Sequence, residues 1–427
     1  AERRDPVAGE RLLHQRHLVV AQMRRREIDA LRQFAPGDEI GGLRPSALAR
    51  NLVRLGHDVV VLTHQGTPAA DGFRAVTVGR GANASGSGAP AGAGATTGLK
   101  GLARKILAVP DGKARWAVRA AWALRQEHRA AGFDAVITTG PPHSVHLAGL
   151  WGLRHRGGNR PWWIVDMRDL WTDNPYYDYG AARRRLDRLI EADVVRSADA
   201  VTATTAGFAR SLERRHGIRA TSILTGFDDS ASVPATREAG RPLRVVHAGN
   251  LYGGRRDPGP LIEAAGMLAR EGRASADRLR LVFIGPGSES VAEAARTFGA
   301  SEIVEAVPPI PHAEVLEHLA RADALLLVQW RSDLTATEVP GKLYEYLAFR
   351  APIIALGAAP EGEVAGILES TGAGRVVNSV AECRQALESL LEGDLAGPDE
   401  VRLADLGQSR MAEQFLSVAE GREVSTG

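Results

Sequence analysis

A chain of 427 residues, 44% hydrophobic and 24% charged, is too long for one ordinary core and has the composition of a water-soluble protein of two domains. Its 53 basic and 51 acidic residues leave a formal charge of +2, which argues against a dedicated nucleic-acid binder and leaves room only for local basic patches. A single cysteine, Cys383, excludes an intramolecular disulfide and a cysteine-based zinc cage. No apolar run approaches the roughly 18 residues of a membrane span, and the first residues lack the apolar core of a signal peptide, so the expectation is a cytoplasmic protein.

The first 35 residues carry the weakest pattern. Leu18-Val19-Val20 can seed a short strand, whereas 23–32 is too charged for a buried parallel strand and reads as a helix. From Phe34 the pattern sharpens into a loop with Gly41-Gly42, a helix over 46–55, Gly56 as its C-cap and a strand over 58–62. This is the opening of a Rossmann-like unit with its first loop at the ligand edge, although a lone glycine pair also fits a simple turn. The Gly-, Ala- and Ser-rich stretch 79–101 reads as a flexible loop.

A helix over 114–130 leads to a strand over 134–138 that ends in Thr139-Gly140-Pro141-Pro142-His143-Ser144. The next strand, 162–165, runs into Asp166-Met167-Arg168-Asp169-Leu170-Trp171. Polar residues just past the carboxyl ends of apolar strands are where open α/β sheets hold ligands. Short strands over 199–204 and 221–224 complete a first domain of residues 1–228, and a polar hinge over 229–240 follows.

A second series, 241–400, opens with a strand over 243–248, the loop from Gly249 to Asp257 and a helix over 260–268. Strands over 279–284, 303–307, 324–328 and 353–356 follow, and a last helix, 401–419, is expected to return to the first domain. The fold class is therefore α/β, with two Rossmann-like, doubly wound domains facing each other across a cleft.

The chemistry concentrates in Thr337-Glu338-Val339-Pro340-Gly341-Lys342-Leu343-Tyr344-Glu345-Tyr346-Leu347-Ala348, a loop entering a helix. Pro340 suits a first helical turn, and Gly341 lets a ligand approach the free N–H groups at the positive end of the helix dipole. Lys342 and Glu345 share one face, offering a cation for a phosphate and a carboxylate for a sugar diol, while Leu343 and Leu347 form the buried stripe. An ordinary solvated Lys/Glu pair would show the same spacing. Two further pieces meet this helix at the carboxyl edge of the second sheet, Gly253-Gly254-Arg255-Arg256 and the loop after Ile284. Two cations and a helix N-terminus suit a diphosphate. The chain lacks a G-x-G-x-x-G followed by an acidic residue about 20 positions on, and lacks G-x-x-x-x-G-K-[ST], which argues against nicotinamide and ATPase sites.

Taken in order, Pro141-Pro142-His143-Ser144, Arg168-Asp169-Leu170-Trp171 and Pro340-Gly341-Lys342-Leu343-Tyr344-Glu345-Tyr346 resemble the P-P-H-S turn, R-D-x-W turn and P-x-K-L-x-E-Y helix of the retaining GT-B glycosyltransferases of family 4. The resemblance is to the bacterial polysaccharide and natural-product group and runs from about Phe34 to Ala419. It implies a nucleotide-sugar donor in the second domain, with Arg255 or Arg256 and Lys342 on the diphosphate, Glu345 on the ribose, and Gly41-Gly42 against phosphate and sugar. It also implies an acceptor in the first domain. Three departures stand out. Thr337 replaces a glutamate common in the family, with Glu338 displaced by one residue, and Arg168 replaces a frequent histidine. The stretch 27–33 is a poor first strand, so that either Leu18 to Ala21 substitutes for it or the strand is disrupted.

The expected activity is sugar transfer from a nucleoside diphosphate to an acceptor hydroxyl with retention. No cofactor or metal is expected, since no D-x-D pair accompanies the cations Arg255, Arg256 and Lys342. Asp169, Arg168 and His143 would line the sugar and acceptor side, although His143 also fits a capping role and Asp169 a structural turn. Trp171, Tyr176 and Tyr177 fit either sugar stacking or the core. Two other readings share the fold, a nucleotide-sugar epimerase and a catalytically weak nucleotide-sugar-binding protein. The expected partners are a nucleotide sugar and an acceptor sugar, lipid-linked sugar or natural product, not nucleic acid. Arg24-Arg25-Arg26 and Arg183-Arg184-Arg185 suit peripheral contact with anionic lipid, or are solvated faces.

Overall fold

The computed structural model describes residues 17–22, 40–64, 72–79, 110–111, 113–154, 160–174, 177, 180–229, 241–330 and 336–422. The expected helix over 23–32, nearly all of the Gly-rich loop over 79–101 and most of the hinge over 229–240 lie outside them. Two compact units form, one holding His17–Gln22, Glu39–Leu224 and Met411–Gly427, the other Thr225–Arg410.

In the first unit seven parallel strands lie in the order β3-β2-β1-β4-β5-β6-β7. They are β1 (His17–Gln22), β2 (Asp58–Thr63), β3 (Arg74–Thr77), β4 (Ala135–Gly140), β5 (Trp162–Met167), β6 (Ala200–Ala203) and β7 (Thr221–Ser222). All six residues of β4 are buried, as are all but the first of β5, because a parallel sheet covered on both faces leaves no polar side. The helices are α1 (Ile40–Arg54), α2 (Ala114–Ala131), α3 (Ser144–Leu153), α4 (Ala181–Ser197) and α5 (Ala206–His216). One core joins Trp116, Ala120 and Leu124 of α2 to Val136, Val145, Trp163 and Val165. Another joins Leu48 and Leu52 of α1 to Val59, Val61, Ile137 and Ile164, and is closed by Met411, Phe415 and Val418 of the last helix.

Four expectations are corrected or resolved here. The first strand is His17–Gln22, paired in parallel with both β2 and β4 at the centre of the sheet, so the apolar run Leu18 to Ala21 supplies it. Gly41 and Gly42 lie inside the first turn of α1, not in a loop before a helix at residue 46, with Pro45 tolerated near the helix start. Asp166 and Met167 end β5 instead of opening the turn after it. The final helical segment breaks in two, because Phe227 pairs its backbone with Leu406 and Gln408 through the gap.

The second unit repeats the plan with β8 (Leu243–Ala248), β9 (Leu279–Ile284), β10 (Val304–Val307), β11 (Ala324–Val328), β12 (Ile353–Leu356) and β13 (Gly374–Val377), in the parallel order β10-β9-β8-β11-β12-β13. Its helices are α6 (Gly259–Arg270), α7 (Ser288–Phe298), α8 (His312–Ala320), α9 (Gly341–Ala348), α10 (Glu363–Thr371), α11 (Val380–Glu392) and α12 (Glu400–Ala404), and α13 (Gln408–Ala419) then returns its side chains to the first core. Cys383 is fully buried in α11 among Leu387 and Leu390, where a thiol acts as a small hydrophobe. In both sheets the strand order reverses once, between β1 and β4 and between β8 and β11. Neighbouring connections leave to opposite faces there, which opens a crevice at the carboxyl ends.

Candidate functional site

In the second unit the reversal point lies between β8 and β11, and α9 follows β11. Leu343, Tyr344, Tyr346 and Leu347 are the buried side of α9, and of the other side Gly341 is exposed while Lys342 and Glu345 are half-buried. Pro340 is the N-cap, one position earlier than the first turn expected for it, and no side chain caps the helix. The end of β8 is pinned from both sides by this helix. The Lys342 ammonium donates to the Ala248 carbonyl, and the Ala248 N–H donates to the Tyr346 hydroxyl at 3.1 Å.

Glycine is required at the strand ends. Gly249 has φ +150°, and a β-carbon there would collide with Lys342 Nζ. Gly285, at φ +127°, passes so close that a β-carbon would lie 2.8 Å from the Gly249 carbonyl oxygen. The backbone after β8 therefore approaches Lys342, and the backbone after β9 approaches Gly249, at distances no side chain allows.

The two arginines separate. Arg256 bears electrostatically on Lys342 and His247 and stacks its guanidinium over Tyr252 at 4.8 Å. Arg255 is exposed and stacks over Trp330 at 4.8 Å. Of the pair left open by the sequence, Arg256 is the one that shares a field with Lys342. Burial, and then Arg256, push the Lys342 ammonium down to about 8 against the favourable charge of Glu345. A cation this costly to hold is poised to be neutralised by an anion. Sequence reading passed over His247, although a polar residue inside the buried strand Leu-Arg-Val-Val-His-Ala was a visible signal. It also left Tyr346 without the tether to Ala248 that the structure gives it.

In the first unit the expected residues gather around the ends of β4 and β5. His143 stands at the N-cap of α3, its ring stacked on Trp171 at 4.8 Å and 2°. Trp171 is buried, which places it in the core. The Arg168 backbone N–H donates to the Gly140 carbonyl at 2.8 Å and its guanidinium to the Pro141 carbonyl, so this arginine ties one turn to the other. Asp169 is half-buried beside it. Behind these turns lies a cluster that the sequence reading did not pick out. Asp166 accepts from Arg44 Nε at 3.1 Å and Nη2 at 2.9 Å, from Thr139 at 2.7 Å and from Thr202 at 2.9 Å. Burial opposes its charge, but Arg44 and the two hydroxyls outweigh that and hold the carboxyl below its usual range. Arg44 also lies over the Phe415 ring at 5.2 Å. One ion pair thereby links α1, β4, β5, β6 and α13.

Among the described residues no three His, Cys, Asp or Glu side chains are grouped to hold a metal ion. None of the described helices is long and apolar enough to cross a membrane.

Residues 41–225 match the glycosyl transferase 4-like domain. Three solved structures illustrate what the whole chain is similar to. HepE of Anabaena, solved in complex with UDP, is 11% identical at a TM-score of 0.60, with 95% of this chain and 100% of that one covered. AviGT4, a glycosyltransferase involved in avilamycin A biosynthesis, is 18% identical at a TM-score of 0.51, with 95% and 97% covered. A Listeria monocytogenes protein assigned as a UDP-N-acetylglucosamine 2-epimerase is 13% identical at a TM-score of 0.53, with 96% and 98% covered. No curated protein sequence matches the chain. Residues 41–225 thus match a glycosyl transferase 4-like domain, and the chain as a whole has the GT-B fold of two Rossmann-like units.

Proposed function

We propose that this chain is a retaining, family 4 enzyme that moves a sugar from a nucleoside diphosphate to an acceptor hydroxyl without a metal, in bacterial polysaccharide or natural-product assembly in the cytoplasm. The observation that carries the reading is the meeting of Lys342, Arg256 and the uncapped start of α9 at Gly249, where the sheet order reverses. In this reading Lys342, Arg256 and the N–H groups of Gly341 and Lys342 hold the diphosphate and stabilise its departure. Glu345 takes the ribose diol, and Leu343 keeps the helix seated. Arg255 on Trp330 extends the same edge toward the nucleotide. Gly41 and Gly42, in the first turn of α1, offer backbone N–H groups to phosphate or sugar. Asp169 and His143 orient hydroxyls on the acceptor side, and Arg168 acts through the Pro141 turn.

The test is incubation with a panel of nucleotide sugars, with and without sugar, lipid-linked and natural-product acceptors. Nucleoside diphosphate should appear only with an acceptor, should be insensitive to chelator, and the product should keep the donor's anomeric configuration by NMR. An isomeric nucleotide sugar formed without acceptor would establish an epimerase instead, and binding without turnover a binding protein.

Exposed apolar side chains on two helices of the first unit support a lipid-surface acceptor. Val118 and Trp122 on α2 and Leu186 and Leu189 on α4 are exposed, Trp122 by 64% and Leu189 by 66%, among the exposed Arg115, Arg119, Arg185 and Arg188. Apolar side chains set among arginines match an anionic bilayer interface. The protein should co-sediment with phosphatidylglycerol vesicles and not phosphatidylcholine ones, less so as salt rises, and W122S/L189S should bind several-fold more weakly. Equal binding to both vesicle types, or none, would refute the membrane contact.

A further inference from the structure

We infer that His247 is a positioning residue for Lys342: when a diphosphate binds, its Nε2 lone pair, unpartnered in this structure, accepts an ammonium N–H and aims the cation at the ligand. The inference rests on the donor-site reading above and extends it to a residue on the strand behind. His247 is only 1% exposed in the middle of a parallel sheet, where an imidazole costs free energy that valine would not. Its Nδ1 lies 2.9 Å from the Leu326 carbonyl on the neighbouring β11. A carbonyl oxygen only accepts, so Nδ1 carries the hydrogen, and in the neutral ring Nε2 is a bare acceptor. Burial, with Lys342 and Arg256 nearby, keeps the ring neutral by pushing it down to about 3.

That acceptor is buried and has no hydrogen-bond partner. The point that a β-carbon on Gly249 would occupy is in contact with Lys342 Nζ and lies 3.8 Å from His247 Nε2. Ring nitrogen and ammonium therefore border the same space, which exists because residue 249 has no side chain. The ammonium has three N–H groups. One goes to Ala248 on the strand. With a second on Nε2, the third is fixed in direction toward the open side at α9. A neutral acceptor suits this task, whereas a carboxylate in its place would cancel the charge the diphosphate needs. The other charged and titratable groups around Lys342 are Glu345 and Tyr346 of α9 and Arg256 of the β8 loop. Glu345 favours the charged lysine and Arg256 opposes it.

The experiment titrates UDP, GDP, ADP and TDP into the full chain by calorimetry from pH 6.5 to 9.5, using wild type, H247L, H247Q and K342M. The strongest wild-type ligand serves as probe. H247L should lose about ten-fold in affinity at pH 7.5, the order expected for one charge-assisted hydrogen bond. Its alkaline loss of binding should begin at lower pH, because the protonated lysine has lost an acceptor. H247Q, which restores a neutral acceptor, should recover most of both. Histidine 15N NMR of the wild type needs no substitution: it should show the Nδ1–H form throughout, with the Nε2 signal shifting on nucleotide addition. An H247L that binds with wild-type affinity and pH profile beside a non-binding K342M, or an Nε2 signal that nucleotide leaves unmoved, would overturn the inference alone. A K342M that binds like wild type would overturn the donor site itself, and the inference with it.

Discussion

Replacing Lys342 by methionine should abolish nucleotide binding and stabilise the protein at the same time. The ammonium sits where burial and Arg256 lower it to about 8, so folding forces a cost on the charged form that the unfolded chain does not bear. Between about pH 8 and the ordinary lysine value the unfolded state binds more protons, so stability rises with pH through that window. Below pH 8 the whole penalty is present. Each tenfold loss of proton affinity on folding costs about 1.4 kcal/mol, and the lost bond to Ala248 offsets about 1 kcal/mol, leaving a net gain of about 2 kcal/mol at pH 7. In a chain of this size that raises the melting temperature by about 2–4 °C. The gap should close as pH climbs toward 10. Calorimetric affinity should fall at least about 100-fold, since one charge-assisted contact and the positive field are both removed. A K342M protein that melts below wild type at every pH, or that turns over normally, would defeat this account.

The opposite sign is expected at Asp166. D166A leaves the Arg44 guanidinium, 3% exposed, without its counter-ion in the core of the first unit, and breaking a buried pair in this way costs about 3–5 kcal/mol. Chemical denaturation should show the transition of the first unit moved by that amount. The double replacement R44M/D166L removes both charges and should recover most of the loss, since apolar residues of similar size can replace a buried pair at little cost. Because Arg44, Thr139 and Thr202 hold the Asp166 carboxyl below its usual range, its contribution is present above the ordinary aspartate value and is lost as pH falls through the lower folded one. Wild type should therefore lose stability below about pH 4 more steeply than R44M/D166L. Equal acid sensitivity, or a D166A as stable as wild type, would show that the pair holds nothing together.

These two positions differ in how readable they were. Lys342 stood in a run whose residue types and spacing declare a loop, a helix start and one polar face, and the helix formed there with one residue of error at Pro340. The alternating strands and helices were equally plain, since β11 and β12 are unbroken apolar runs, and β8 and β9 mainly apolar ones, that a doubly wound sheet demands. The short edge strands β3 and β13 escaped notice because four residues, mostly half-buried or exposed, carry neither alternation nor a long apolar run. Arg44 and Asp166 escaped for another reason. They are 122 residues apart, and an arginine in an otherwise apolar helix pattern reads as a solvated side chain until the aspartate that neutralises it is placed opposite.

Sequence alone thus determined most of the elements, the α/β class and the residue types on the face of α9, because backbone periodicity and helix-end chemistry are local properties. Tertiary structure alone decided three matters of distance. It brought the start of α9 to the end of β8, so that one carbonyl, one ammonium and one imidazole share the space left by Gly249. It set Arg256, not Arg255, in the field of Lys342. It also made His17–Gln22 the centre of the first sheet, since a strand with neighbours on both sides gains two hydrogen-bonded ladders that its own six residues do not encode.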